Sequence, residues 1–306
     1  MVRYAYLGPT GTFTESALRT LPDAGQAELV PCTTIQAALE AVRQRSADAA
    51  VVPIESSVDG AVTATLDELA TGGELLIRAE ILLPIEFALL ARPGTEIDEI
   101  ATVGGHPQAQ AQCRAWLTGH LPNAGWRPAA SNAMAAQQVA SGELDAALAG
   151  AFAAAGYGLS VLADKVHDHA GAVTRFVVVG GPGPLPAPTG ADRTSLAAFL
   201  AQDHPGALME LLTELAVRGI NLSRIESRPT GDELGKYYFC IDCEGHIDDA
   251  RVGEALMGLR RVCADVRFIG SYPRSDGGKT QVRAGTSDAE FAASAAWLGR
   301  LRYGRV

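Results

Sequence analysis

Thr174-Arg175-Phe176 opens a strand-like run over residues 175–179, and its residue types suit carboxylate chemistry. A guanidinium is the natural partner of a carboxylate, and a threonine hydroxyl donates a hydrogen bond or a proton. An edge-strand ion pair would use the same residues. Gly8-Pro-Thr-Gly-Thr12 stands between a strand-like and a helix-like segment. Glycine and proline fix a tight turn there, and two hydroxyls with backbone N–H groups make an anion cradle. An ordinary Gly-rich turn fits as well, and no Gly-Lys-Ser/Thr follows to make a nucleotide loop. Pro53-Ile-Glu-Ser-Ser-Val-Asp-Gly60 crowds Glu55, Ser56, Ser57 and Asp59 at the end of an apolar run, where Ser57 or Asp59 is expected to cap a helix. No Ser–His–Asp arrangement accompanies these serines, so a serine nucleophile is not expected. Gly104-Gly-His-Pro107 is a further strand end, and a lone His106 is more often structural than catalytic.

Two more sets lie near the C-terminus. Cys240 and Cys243 stand three apart on a strand, which turns them to opposite faces. With no second pair they read as packing or edge residues. His204-Pro-Gly-Ala-Leu-Met209 opens a helix, Gly219-Ile-Asn-Leu222 closes it, and Glu226-Ser-Arg-Pro229 follows on a strand. Free N–H groups at such a helix start suit a small carboxylate, although a plain Pro-Gly start explains them too.

These residues need a scaffold, and the apolar pattern supplies one. Strand-like runs at 4–7, 49–54, 85–91, 100–104, 146–149, 161–165 and 175–179 alternate with helical patterns at 13–21, 34–45, 62–70, 108–119 and 132–141. In residues 34–45, Ile35, Ala38, Leu39 and Val42 share one helix face. Such alternation implies βαβ units and a mostly parallel sheet, and the pattern restarts near residue 81, as two similar lobes with a cleft would. Ligands in these folds sit at strand carboxyl ends beside helix N-termini. Residues 180–190 carry Pro182, Pro184, Pro186 and Pro188, an extended spacer. Beyond it, strands at 194–200, 222–228, 237–242 and 266–272 and helices at 206–218 and 248–261 follow the order βαββαβ, a ferredoxin-like module. A last helix over 288–301, with Phe291, Ala295 and Leu298 on one face, is expected to pack on a domain or a partner subunit.

Composition narrows the partners. The 306 residues carry 25 Lys+Arg against 35 Asp+Glu, a net charge of −10, with no dense basic run, so nucleic acid is not expected. Hydrophobic residues make up 47%, enough for large cores. No uncharged apolar stretch approaches the roughly 18 residues of a membrane helix, and the start lacks a signal-peptide apolar region. A cytoplasmic protein with five reduced cysteines is expected. The six histidines show no metal-ligand spacing, so no metal is expected.

In their order, the motifs resemble the prephenate dehydratase family. The resemblance rests on Gly8-Pro-Thr-Gly-Thr-Phe13, Val52-Pro-Ile-Glu-Ser-Ser-Val-Asp-Gly60, His106-Pro-Gln-Ala109 with Gln112-Cys113, Thr174-Arg-Phe176, Gly206-Ala-Leu208 and Glu226-Ser-Arg-Pro229. It runs from residue 1 to about 273. Ser56 departs from the family's Asn, and Gly171 and Ala172 stand where an Asn often precedes Thr-Arg-Phe.

The resemblance implies a two-lobed, periplasmic-binding-protein-like catalytic domain over 1–180, with lobes at about 1–80 plus 170–180 and about 81–169. A linker at 181–192, an ACT regulatory domain at 193–273 and a tail at 274–306 would follow. It implies decarboxylating dehydration of prephenate to phenylpyruvate, without cofactor, in phenylalanine biosynthesis. Thr174 would assist the leaving hydroxyl, and Arg175 would bind a carboxylate or brace its strand. Ser57 joins these as a catalytic candidate. Thr10, Thr12, Phe13, Glu55, Ser56, His106 and Phe176 would bind substrate. Phenylalanine would bind as effector near Gly206, Ala207, Leu208, Met209, Asn221, Leu222, Glu226, Ser227, Arg228 and Pro229, in a homodimer or homotetramer joined through the ACT domains. Helix N-termini after Gly11 and Ser57, with Arg175, would offset the acidic net charge around a dianion. Arogenate is the alternative substrate, and a non-catalytic binding protein with an amino-acid sensor is the alternative class.

Overall fold

The computed structural model describes residues 1–202, 204–231 and 236–304. The chain divides into two compact units, Met1–Thr65 with Ile81–Val179, and Leu66–Glu80 with Gly180–Val306.

The N-terminal segment runs β1 (Arg3–Leu7), α1 (Phe13–Leu18), β2 (Glu28–Cys32), α2 (Ile35–Arg43), β3 (Ala49–Ser56), β4 (Gly60–Ala61), α3 (Thr63–Thr71) and β5 (Leu76–Pro84). It continues through β6 (Ala88–Ala91), β7 (Thr102–Gly105), α4 (Pro107–Gln112), α5 (Arg114–His120), β8 (Gly125–Pro128) and α6 (Asn132–Ser141). The segment ends with β9 (Ala146–Ala149), α7 (Ala153–Tyr157), β10 (Ser160–Ala163) and β11 (Val173–Gly180). The first lobe is built on a sheet ordered β2-β1-β3-β11-β5, with β4 added to β3, and the second on β10-β6-β9-β7-β8. In the first, β1 pairs in parallel with β2 and β3. The second is mixed, since β6 pairs antiparallel with β9 and β10.

The second lobe explains its own run of small residues. Leu89 and Ala91 enter one core cluster, while Ala88 and Leu90 enter the other, so helices cover both sheet faces. Helix α2 buries Ala38, Leu39 and Val42, and Thr34 caps it by accepting from Ala37 N (3.0 Å). The helix expected over 108–119 is two helices, because Cys113 leaves helical geometry at φ −118°, ψ 16°. No helix begins at Ser57 or Asp59. Ser56 Oγ accepts from Val58 N (3.2 Å) and Asp59 N (3.1 Å), closing a turn into β4, and α3 starts only at Thr63.

The second unit follows with β12 (Asp192–Leu200), α8 (Ala207–Ala216), β13 (Leu222–Pro229), β14 (Tyr237–Glu244), α9 (Ala250–Val262), β15 (Cys263–Pro273) and α10 (Asp288–Tyr303). Its four strands stand in the order β13-β14-β12-β15, the ferredoxin-like arrangement. Leu196, Ile241 and Cys243 pack against Leu211 and Leu215 of α8 and Val252, Ala255 and Leu259 of α9. Cys240 and Cys243 are both buried on an interior strand, so they are packing residues and not edge ones. Burial pushes each thiol up to about 12.

The other face of this sheet is polar. Asp242 accepts from Ser195 Oγ (2.7 Å) and from Arg224 through Nε (2.9 Å) and Nη2 (3.0 Å). Residues 66–80, assigned from sequence to the first lobe, group with this unit. Asp67 accepts from Arg228 Nε (2.9 Å), Arg228 Nη2 (2.8 Å) and Tyr238 OH (2.6 Å). The Arg228 guanidinium holds the Asp67 carboxyl below its ordinary range. Glu80 meets Arg193 Nε at 3.3 Å. A Cβ on Gly270 would stand 2.5 Å from Ile77 O, so only glycine fits that approach. The Pro-rich stretch is also anchored: Arg78 donates to the carbonyls of Gly181 and Pro184, and His246 Nε2 lies 3.1 Å from Pro186 O. Helix α10 starts at a Ser287–Glu290 capping box and meets the start of α9, where Asp288 Oδ1 accepts from Ala250 N (2.8 Å); of its expected packing face Phe291 is half-buried, while Ala295 and Leu298 are exposed among the described residues.

Candidate active site

A cleft of about 720 Å³ opens in the first unit, at the carboxyl ends of β1, β3 and β7. Seven of the candidate residues line it: Thr10, Thr12, Phe13, Ser56, His106, Thr174 and Phe176. Three do not, namely Glu55, Ser57 and Arg175. Strand alternation is the reason. On β11, Thr174 and Phe176 face the cleft, so Arg175 must face away. On β3, Ser56 faces it and Glu55 does not. The two outward residues meet, with Arg175 Nη2 and Nε at 3.0 and 3.2 Å from Glu55 Oε2. Ser57 joins strands instead: its N–H donates to Val173 O (2.9 Å) and its Oγ accepts from Val173 N (3.0 Å). It thereby sets the position of Thr174 without touching the cleft.

The hydroxyls named from sequence differ in availability. Thr12 Oγ1 donates to Leu7 O (3.0 Å) and accepts from Glu15 N (3.3 Å), capping α1. Thr10 Oγ1 lies 3.3 Å from Tyr6 OH. Ser56 Oγ closes its turn. Thr174 Oγ1 bonds to none of the described residues, so it is ready for a ligand. His106 caps α4, and its Nδ1 accepts from Gln108 N (3.3 Å), leaving Nε2 as the donor of a neutral ring.

Among the described residues no Lys or Arg lines the cleft, and Asp59 is its only Asp or Glu. The expected positive potential from Arg175 and a helix after Ser57 is therefore corrected. Helix starts supply it differently. The N–H groups of Phe13 and Thr14 on α1, and of Asn132 and Ala133 on α6, precede the first intrahelical bonds, Ser16 N to Thr12 O and Ala135 N to Ser131 O. These pairs come from elements of both lobes, and all four residues line the cleft. The apolar wall is Phe13, edge-on to Phe87 (5.4 Å) and Phe152 (5.3 Å), with Ile85 and Phe176.

Sequence reasoning missed Asp59, Gln112, Asn132 and Tyr157 as cleft residues. Ser131 caps α6, accepting from Met134 N (3.0 Å), which frees Asn132 Oδ1 to accept from His106 N (2.8 Å). Tyr157 OH donates to Thr10 O from an Ala/Gly-rich segment with no periodic pattern. Among the described residues no helix is long and apolar enough to cross a membrane, and no group of three or more His, Cys, Asp or Glu could hold a metal ion.

The second unit has its own cavity of about 430 Å³ at the start of α8. Gly206, Ala207, Leu208, Met209 and Ser227 line it, with Phe199, Tyr237 and Phe239. Asn221, Leu222, Glu226, Arg228 and Pro229 do not. Alternation on β13 turns Glu226 and Arg228 away from the Ser227 side, and Arg228 is held by Asp67. Asn221 Nδ2 donates to Glu244 Oε1 (3.1 Å).

A family model for prephenate dehydratase matches residues 4–183, and one for the ACT domain matches residues 195–261. The chain belongs to the prephenate dehydratase family. Prephenate dehydratase of Mycobacterium tuberculosis is 50% identical over 315 residues, covering 100% of this chain and 95% of that one. A crystal structure of prephenate dehydratase in complex with L-Phe from Arthrobacter aurescens aligns with a TM-score of 0.95 at 51% identity, covering 99% of this chain and 100% of that one. GqqA, described as a novel type of quorum quenching acylase, aligns at 0.78 with 29% identity, covering 89% of this chain and 98% of that one. The matched models thus divide this chain into a prephenate dehydratase domain, which carries the two lobes, and a C-terminal ACT domain.

Proposed function

We propose that this chain converts prephenate to phenylpyruvate, carbon dioxide and water, as a lyase of phenylalanine biosynthesis regulated by phenylalanine. The uncommitted Thr174 hydroxyl in the cleft carries this reading. Loss of the ring carboxylate and the 4-hydroxyl aromatises the ring, so the driving force lies in the substrate. The departing hydroxyl needs a proton or a strong hydrogen bond. Thr174 supplies the hydrogen bond. A threonine is a weak acid, so the proton arrives through a neighbour or a water, and His106 Nε2 is the ring donor the cleft offers. The N–H pairs on α1 and α6 hold the two carboxylates, and the Phe13 wall takes the ring. Removing water favours release of a carboxylate as CO2.

Purified chain mixed with prephenate at neutral pH, followed by phenylpyruvate absorbance in alkali, tests this. Turnover well above the spontaneous rate is expected. A rate equal to it would leave a binding protein and not an enzyme. Arogenate is the rival substrate because Asp59, a carboxylate lining the cleft, would suit its ammonium group; kcat/KM for the two substrates decides. An acylase reading gains no support, since Ser56 Oγ is bonded within its turn and meets no histidine among the described residues.

For the effector, Leu208 and Met209 N–H groups at the Gly206 start of α8 suit an amino-acid carboxylate, beside the apolar cavity. Leu208→Asp is expected to weaken L-phenylalanine binding at least tenfold by calorimetry. Unchanged affinity would place the effector elsewhere. The exposed Met209, Val217 and Tyr237, with β13 at the sheet edge, support self-association of this unit as a homodimer or homotetramer. The five free cysteines accord with a cytoplasmic, reducing location.

A further inference from the structure

We propose that Asp59 and Gln112 form a clasp across the substrate cleft, holding the lobes closed around Thr174 as positioning residues. The inference rests on the proposed dehydratase activity. Asp59 lies in the turn between β3 and β4, in the first lobe. Gln112 is the last residue of α4, in the second. They stand 53 positions apart, and both line the cleft, where Gln112 Nε2 donates to Asp59 Oδ2 at 2.8 Å.

Each partner is fixed from its own side. Ser56 Oγ accepts from Val58 N and Asp59 N, and reaches Asp59 Oδ2 at 3.4 Å, so the turn presents the carboxylate. Gln112 is 7% exposed, and its backbone carbonyl accepts from Asp168 N (2.7 Å). Asp168 in turn accepts from Ala115 N (2.7 Å) and Trp116 N (3.0 Å) at the start of α5. With the β3–β4 turn and the end of α4 each held on its own side, moving the lobes apart would strain this bond.

Charge makes the arrangement informative. A carboxylate is a poor wall for a dianion, and among the described residues Asp59 is the one Asp or Glu that lines the cleft. It is explained if the charge serves to strengthen the bond to Gln112, since an ionised acceptor makes a stronger hydrogen bond than a neutral one.

The test is a double-mutant cycle in the full-length protein. Asp59→Ala and Gln112→Ala are each expected to lower kcat/KM for prephenate about tenfold, and the double variant no further, because one contact is removed in all three. Asp59→Asn keeps an acceptor and should recover to within about threefold of the parent. Without ligand, hydrogen exchange in peptides 52–62 and 107–120 should rise in the alanine variants and not in Asp59→Asn. Additive losses, or an unaffected Gln112→Ala, would overturn the clasp. If the parent does not turn over prephenate, the dehydratase reading fails by itself, and the exchange data still decide the clasp.

Discussion

Replacing Thr174 with valine is expected to lower kcat by about 10²–10⁴-fold and to leave KM within about threefold. Valine keeps the shape and the β-branch that suits β11, so the strand should persist. The lost hydroxyl bonds to none of the described residues, so its removal strands no partner. Melting temperature and circular dichroism should therefore match the parent. Phenylpyruvate formation under saturating prephenate gives kcat directly. A near-normal value would reject the assigned role. Thr174→Ser, which restores a hydroxyl, should recover part of the activity.

Arg175→Leu should act through stability instead. Arg175 is 4% exposed and pairs with Glu55, whose side chain is 36% exposed. Removing one partner of a buried pair is costly because the other charge is left behind. With Glu55 partly in water, a loss of roughly 2–3 kcal/mol is expected by urea unfolding. Arg175→Leu with Glu55→Leu should recover part of it, since the Glu55 charge is no longer left behind. At low temperature, kcat of the single variant should stay within about fivefold of the parent, because Arg175 faces away from the cleft. A collapse of kcat at unchanged stability would return Arg175 to substrate binding.

Much of the fold was legible because it is written in local periodicity. The leucines of α8 mark its buried side, and the unbroken apolar runs of β6 and β9 mark strands covered on both faces. The motifs located the cleft but did not say which side of a strand each residue takes. Parity could have done so: neighbours in Thr174-Arg175-Phe176 and in Glu55-Ser56 cannot share a face. Other features were hidden because their causes are distant. β5 carries Arg78 and Glu80, charges that obscure a strand until the linker carbonyls and Arg193 accept them. The contact between Asp59 and Gln112 leaves no local trace.

The placement of residues 66–80 has a consequence for inheritance. A Pro-rich stretch at 180–190 invites the idea that a regulator was appended to a finished enzyme and could be exchanged by cutting there. Yet Asp67 and Glu80 find Arg228, Tyr238 and Arg193 only on the far side of that stretch. A chain ended at Gly190 would leave two carboxylates without their guanidinium partners and Ile77 without its Gly270 neighbour. Exchanging the regulator by a single cut there would therefore leave residues 66–80 facing foreign partners, so a workable exchange has to carry that segment along with the residues after 180.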